Sequence, residues 1–413
     1  MSLTVKHLNA DTSFLLSFAP IITYPLSPGE SVRPFTVVLD PWLSGPSKIW
    51  HSRFSISTHK TLPCISSLAD LPEPDLVIVS QHKTDHCHKP TLKQLKPKGG
   101  KTLIAGPPAA MDVIRGWKYF DRTKLISLKP WQPSYSLVEQ SIGHTSPGST
   151  LYRIPIPAIT PNGPPGELTL AFLPQKNDIT GLHSAIGITY QPPSTSSYFP
   201  LTNDHDQLLT PPHSPSSFNS TFTSNAHDRP LSIIYSPHGC TYTTIAPYAS
   251  SHLVSRSVLP LTLLLHCFDR VSNPWYLGGN ICTGLPGGQE IAKKLAAKCW
   301  VGAHDGDKEI KGVASRKLKV TKWGVDEVQE IVSPRSEKFD DRDRVTLATE
   351  VVALGVGEEL MLTREIDFGA GSLRAPVRPC FGSGGLGSPS SIDFRTSLGP
   401  PSLGTTLSSV SLK

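Results

Sequence analysis

The apolar residues of this chain fall mainly in short runs closed by turn residues, with helical spacing the exception. Leu76, Val77, Ile78 and Val79 form one such run, ending at Ser80. A run that is apolar at every position predicts a strand buried on both faces. Comparable runs lie at 36–45 (TVVLDPWLSG), 181–190 (GLHSAIGITY), 231–239 (LSIIYSPHG), 259–266 (LPLTLLLH) and 299–307 (CWVGAHDGD). TSFLLSF, near the amino terminus, predicts the opening strand. Helical signals are fewer. Pro90 suits the first turn of a helix over PTLKQL. The stretch 287–298 (GGQEIAKKLAAK) places Ile291, Leu295 and Ala296 on one helical face. The predicted organisation is an amino-terminal half running to about Tyr190 and a second half from Leu231 to about Leu362.

Two segments break the pattern. Residues 191–230 are rich in Ser, Thr, Pro and Asn around TPPHSPSS and lack hydrophobic periodicity, which predicts a disordered insertion. Residues 376–413 are rich in Gly, Ser, Pro and Leu and predict a low-complexity, disordered tail. These segments account for much of the low hydrophobic content (38%) and the 40 prolines, and leave residues 1–375 as one domain. The net charge of +6 is modest and scattered, and nucleic acid is not expected as a partner. Lys93, Lys96, Lys98 and Lys101 read as a solvated helix face and loop, with a phosphate or anionic-lipid contact as the sharper alternative. The region 305–350, dense in both signs, predicts exposed surface. No run of apolar residues is long enough for a transmembrane helix, and no secretory signal opens the sequence. The seven cysteines lack a C-x-x-C pair, which fits reduced thiols in a cytoplasmic or nuclear protein.

The chemistry gathers after the strand at 76–79, which releases Gln81, His82, Lys83, Thr84, Asp85, His86, Cys87 and His88 in succession. Carboxylate and imidazole groups at the carboxyl edge of a sheet stand where α/β folds keep their sites. Mixed oxygen and nitrogen donors suit Zn, Fe or Mn. The segment resembles the H-x-H-x-D-H motif of the metallo-β-lactamase superfamily. Asp85 and His86 match its last two positions, while Gln81 and Lys83 stand where its first two histidines belong. Residues 36–45 resemble the "IDPWLS" segment of lactonase-like and phospholipase-like members. Residues 181–190 resemble the strand bringing the third histidine, here His183. Residues 231–239 resemble the strand that ends in a bridging aspartate, with Pro237 and His238 in its place. His304 follows its strand like the family's final ligand.

The resemblance implies an α+β fold, the four-layer αβ/βα metallo-β-lactamase-like sandwich. It implies metal ligation by Asp85, His86 and His304, joined by His183 or His238, with Asp40 holding the ligand loop and Gln81 and His88 beside it. Each has a plainer alternative: Asp85 and His86 as turn and capping residues, His183 as a structural histidine, Asp40 as a strand-ending turn residue. His266, with Asp269, could join the rim. A neutral imidazole cannot bridge two metals, so His238 in place of the aspartate favours one divalent ion, Zn ahead of Fe or Mn. Lys83 has no lone pair to give a metal. Its ammonium either polarises a substrate oxygen, acting with Asp85 in catalysis, or pairs with Asp85 and silences the site. The expected function is metal-dependent hydrolysis of an ester, lactone or phosphodiester in a small-molecule or lipid-like substrate, through hydroxide generated from metal-bound water. The alternative is a non-catalytic relative acting as a binding or scaffold protein.

Overall fold

The computed structural model describes residues 1–20, 32–49, 51, 53–133, 150–159, 163–193, 230–333 and 348–363. The predicted insertion at 191–230 and tail at 376–413 lie almost wholly outside them. Two seven-stranded sheets form the framework. The first runs Glu359–Thr363, Ser2–His7, Phe14–Ala19, Phe35–Leu39, Leu76–Ile78, Leu103–Gly106, Leu125–Ser127. Its first three junctions are antiparallel and the rest parallel. The second runs Glu350–Val352, Cys299–Gly302, Leu263–His266, Leu231–Ser236, Ser184–Gln191, Gly166–Pro174, Tyr152–Ile156.

Strand alternation explains how these sheets stack. Leu76 and Ile78 face a central cluster, while their neighbours Val77 and Val79 face an outer one with Met111 and Ile114 of the helix Pro108–Gly116. On the second sheet Leu263 and Leu265 join the same central cluster. Leu264 faces outward, with Ile291 of the helix Leu285–Lys294 and Val328 of the helix Val325–Val332. Helix, sheet, sheet and helix are therefore four layers with apolar side chains between each pair. This is the αβ/βα sandwich that the sequence resembles. Truncating a central residue such as Leu265 to Ala costs about 2–5 kcal/mol, because both neighbouring layers border the hole.

Several expectations need correction. TSFLLSF is the second strand, because Ser2–His7 precedes it in an antiparallel hairpin. Thr4 and Lys6 break that strand's apolar run but lie on its less buried face, opposite Met361 and Glu359 of the last described strand. The halves also divide differently. Tyr152–Ile156, Gly166–Pro174 and Ser184–Gln191 belong to the second sheet, and Glu359–Thr363 returns to the first. The helix at Pro90 is only Lys89–Leu92. The region from 305 onward is not uniformly exposed, since the Lys308 side chain keeps only 12% of its surface in solvent. Among the expected solvated lysines, Lys96 and Lys101 pair with Glu73 and Asp75.

Candidate metal centre

Four strand ends meet at one edge of the sandwich: Phe35–Leu39 leads to Asp40, Leu76–Ile78 to the Asp85–His86 turn, Leu231–Ser236 to His238, and Cys299–Gly302 to His304. Donor atoms of Asp85, His86, His238 and His304 all lie within 4.8 Å of one another, a group that could hold a metal ion. His86 is fully buried and His238 nearly so. The two strand-ending residues Asp40 and His304 adopt left-handed backbone conformations (φ 37° and 72°). Such conformations are costly outside glycine and cluster where function demands a particular side-chain aim.

Each imidazole is oriented by an oxygen behind it. His86 Nδ1 donates to Asp40 Oδ2 at 2.7 Å. The same carboxylate accepts the Ser80 amide (2.6 Å), the Ser80 hydroxyl (2.5 Å) and the Tyr235 hydroxyl (2.6 Å), so Asp40 ties three strand ends together. His238 Nδ1 donates to the Ile281 carbonyl at 2.9 Å. His304 Nδ1 donates to Asp11 Oδ1 at 2.9 Å, and Lys308 Nζ donates to both oxygens of that carboxylate at 2.8 and 2.9 Å. With Nδ1 of all three rings facing an oxygen, Nε2 is the ring nitrogen each has left to offer the centre.

That arrangement has an electrostatic consequence. His86 Nε2 and His238 Nε2 are 2.9 Å apart, too close for two uncompensated lone pairs. Burial opposes charge on His86, but Asp85 and Asp40 outweigh it and raise its pKa. Burial, His304 and His86 hold His238 far below the usual imidazole range. The cluster therefore favours a positive charge between these rings. Asp85 Oδ1 is buried with no hydrogen-bond partner, although burial alone would resist its charge and His86, His304 and Lys308 keep its pKa low. An unpartnered buried carboxylate oxygen beside converging imidazole lone pairs fits a cation. Two ligands at about 2.1 Å on a tetrahedral ion stand about 3.4 Å apart, so these two rings would spread by about half an ångström to share one.

Other expected residues lie elsewhere. His183 is outside the group: its Nδ1 faces the Gly239 carbonyl at 2.9 Å and its Nε2 the Asn280 carbonyl at 3.1 Å, so both ring nitrogens are turned to backbone oxygens. His88 Nδ1 bonds Thr91 Oγ1 (2.8 Å), and burial followed by His59 pushes its pKa down to about 4. Gln81 Nε2 donates to the Leu182 carbonyl at 2.9 Å. His266 Nδ1 bonds the Cys267 carbonyl at 2.8 Å. Lys83 makes no ion pair among the described residues, so the pairing with Asp85 that would silence the site is not formed. The buried ammonium beside the cluster belongs instead to Lys308, which sequence reasoning missed along with Asp11. Lys308 sits in a charge-rich stretch with no distinguishing signal. Asp11 does carry one, the Asn9-x-Asp11-x-Ser13 turn, in which Asn9 Oδ1 accepts the amides of Asp11 and Ser13 at 2.9 Å each.

No protein-family model matches the sequence. No curated protein matches it. Among solved structures the chain is similar to Igni18, a metallo hydrolase from the archaeon Ignicoccus hospitalis, at 11% identity and a TM-score of 0.40, covering 88% of this chain and 99% of that one. It is similar to YhfI, a metallo-beta-lactamase fold protein from Bacillus subtilis, at 13% identity and a TM-score of 0.39, covering 87% and 100%. A third is CmlA, a diiron beta-hydroxylase from Streptomyces venezuelae, at 12% identity and a TM-score of 0.38, covering 73% of this chain and 44% of that one. At these identities and scores the neighbours assign no activity.

Proposed function

We propose that this protein is a hydrolase that works with one divalent metal ion, acting on an ester, lactone or phosphodiester. The observation that carries the reading is the convergence of three imidazoles and one carboxylate, whose donor atoms lie within 4.8 Å of one another while Nδ1 of each ring lies 2.7–2.9 Å from an oxygen behind it. Asp85, His86, His238 and His304 would hold the ion. When bound, it supplies Lewis acidity and lowers the pKa of a coordinated water. Asp85 offers one oxygen to the ion, and the other oxygen of the same carboxylate would take the proton from an attacking water. Asp40, Asp11 and Lys308 hold imidazoles or their partners and touch no reacting atom. Lys83, two residues before Asp85 and free of ion pairs among the described residues, is the cation offered to a developing oxyanion. Zinc is the favoured ion, with iron and manganese compatible with the same donors.

One observation favours a second reading, a metal-stabilised binding protein. Four protein donors in a nearly closed cluster can saturate a tetrahedral ion and leave no position for water. Cobalt substitution separates the two. A hydrolytic centre changes its visible spectrum on adding fluoride or acetate and turns over a panel of esters, lactones and phosphodiesters. A saturated centre does neither.

A further inference from the structure

A small three-stranded sheet beside the metal centre carries a patch that the proposed chemistry leaves unused. Arg270–Ser272 pairs with Asn280–Cys282 on one side and Lys319–Thr321 on the other. The turn between the first two, NPWYLGG at 273–279, is closed by Gly278 and Gly279 in positive-φ conformations. Trp275 is 86% exposed and Tyr276 is 55% exposed. Their rings meet edge to face with centroids 5.8 Å apart. The turn is held in place: Asn273 Nδ2 donates to the Ala314 carbonyl (3.2 Å), and Lys317 Nζ donates to the Tyr276 hydroxyl (2.9 Å). Val313, beside Ala314, is also exposed.

Large aromatic side chains fixed in water mark a surface meant to be covered. The charge around them indicates by what. Arg270, Arg316, Lys317 and Lys319 stand on the same elements, and neither 270–282 nor 312–321 contains an Asp or Glu. None of the four makes an ion pair among the described residues. We propose that this patch seats the protein on an anionic phospholipid surface. Indole and phenol groups partition to the headgroup boundary, where each has an apolar body and a polar tip, and the four cations face lipid phosphate and carboxylate groups. Aliphatic Val313 and the perpendicular rings suit hydrocarbon better than the parallel stacking platform that nucleic-acid bases require. No helix among the described residues is long and apolar enough to cross a membrane.

The same hairpin supplies the Ile281 carbonyl to His238, which brings the membrane-facing turn to the back of the metal centre. The substrate class that follows, an acyl or phosphodiester amphiphile drawn from the bilayer, rests on the hydrolase reading; the docking itself does not.

Co-sedimentation with vesicles tests the docking independently of catalysis. The full chain is expected to bind vesicles of roughly three parts phosphatidylcholine to one part phosphatidylserine at least about tenfold more tightly than phosphatidylcholine alone, and to be released by salt. Trp275→Ala with Tyr276→Ala should weaken binding about tenfold. Arg316→Glu, Lys317→Glu and Lys319→Glu together should weaken it about a hundredfold. Circular dichroism should show both variants folded, as these side chains are exposed. Trp275→Ser alone, expected to bind several-fold more weakly, serves if either variant is not. Brominated lipid should quench wild-type fluorescence more than that of Trp275→Ala. Absence of binding to serine-containing vesicles, variants that bind like wild type, or preference for single-stranded RNA over these vesicles would overturn the proposal.

Discussion

Asp11 Oδ1 and His304 Nδ1 lie 2.9 Å apart across 293 positions of sequence. Burial of the Asp11 carboxyl would raise its pKa, yet His304 and Lys308 pull it well below the usual range, so it stays ionised. The His304 amide also donates to the Asp11 carbonyl at 3.1 Å. The first hairpin thus aims a donor that emerges from a strand of the other sheet.

Asp11→Asn should leave the Lys308 ammonium buried beside a neutral amide. The expected loss is about 3 kcal/mol of stability in the metal-free protein, measured by urea unfolding. Metal affinity should fall about 10–100-fold in chelator competition, since the orienting oxygen becomes a weaker acceptor. Unchanged affinity would mean that the backbone contact alone aims His304.

Gly306→Ala probes the same junction from the other side. A Cβ at Gly306 would run into the Ala10 carbonyl, and backbone yields poorly to such a contact. Destabilisation of about 1–3 kcal/mol is expected, with weaker metal binding as Lys308 and His304 move away from Asp11. A melting temperature equal to that of wild type would contradict this close approach.

Protein purified without added metal should carry about one divalent ion per chain, and His86→Ala or His238→Ala should lose it. His183→Ala should retain it, because both His183 nitrogens already face carbonyls. Elemental analysis decides among these. Two tightly held ions in wild type would require donors beyond the four residues named.

Lys83→Ala should lower turnover by about 10²-fold or more while leaving metal content unchanged, if the ammonium meets a developing oxyanion. Stronger metal binding in this variant, with no loss of activity, would instead assign Lys83 an inhibitory role.

His252 provides a pH dependence away from the metal centre. Burial, then Arg256 and Arg153, push its pKa down to about 3, against 6.5 for a free imidazole. Below about pH 6.5 the unfolded chain takes up a proton that the folded ring refuses until about pH 3. Stability is therefore full above this window and falls as pH drops through it, with a slope of at most about 1.4 kcal/mol per pH unit from this group. Solvent contact of the partly exposed ring reduces that slope. His252→Gln should flatten the stability-against-pH curve between about pH 4 and 6.5; an identical curve would show that His252 titrates normally.

The strand ends were legible in the sequence because burial on both faces demands an unbroken apolar run, and the polar residue that stops the run is visible locally. Asp40, Asp85, His86, His238 and His304 each stand past such a run, and the resemblance to the metallo-β-lactamase superfamily singled them out there. The sequence also disclosed that half of the resembled donor set is replaced at Gln81 and Lys83. Only the tertiary structure decided which histidines converge. His183 and His238 both flank buried strands, but one points both nitrogens at carbonyls and the other brings Nε2 to within 2.9 Å of His86 Nε2. The Ile281 acceptor could not be read at all, since a backbone carbonyl carries no residue identity. Asp11 and Lys308 became partners through sheet order, which places the first hairpin beside the strand end at His304. Spacing along the chain holds no trace of that contact. Local chemistry is written in residue types, whereas the aim of a side chain is set by what packs behind it.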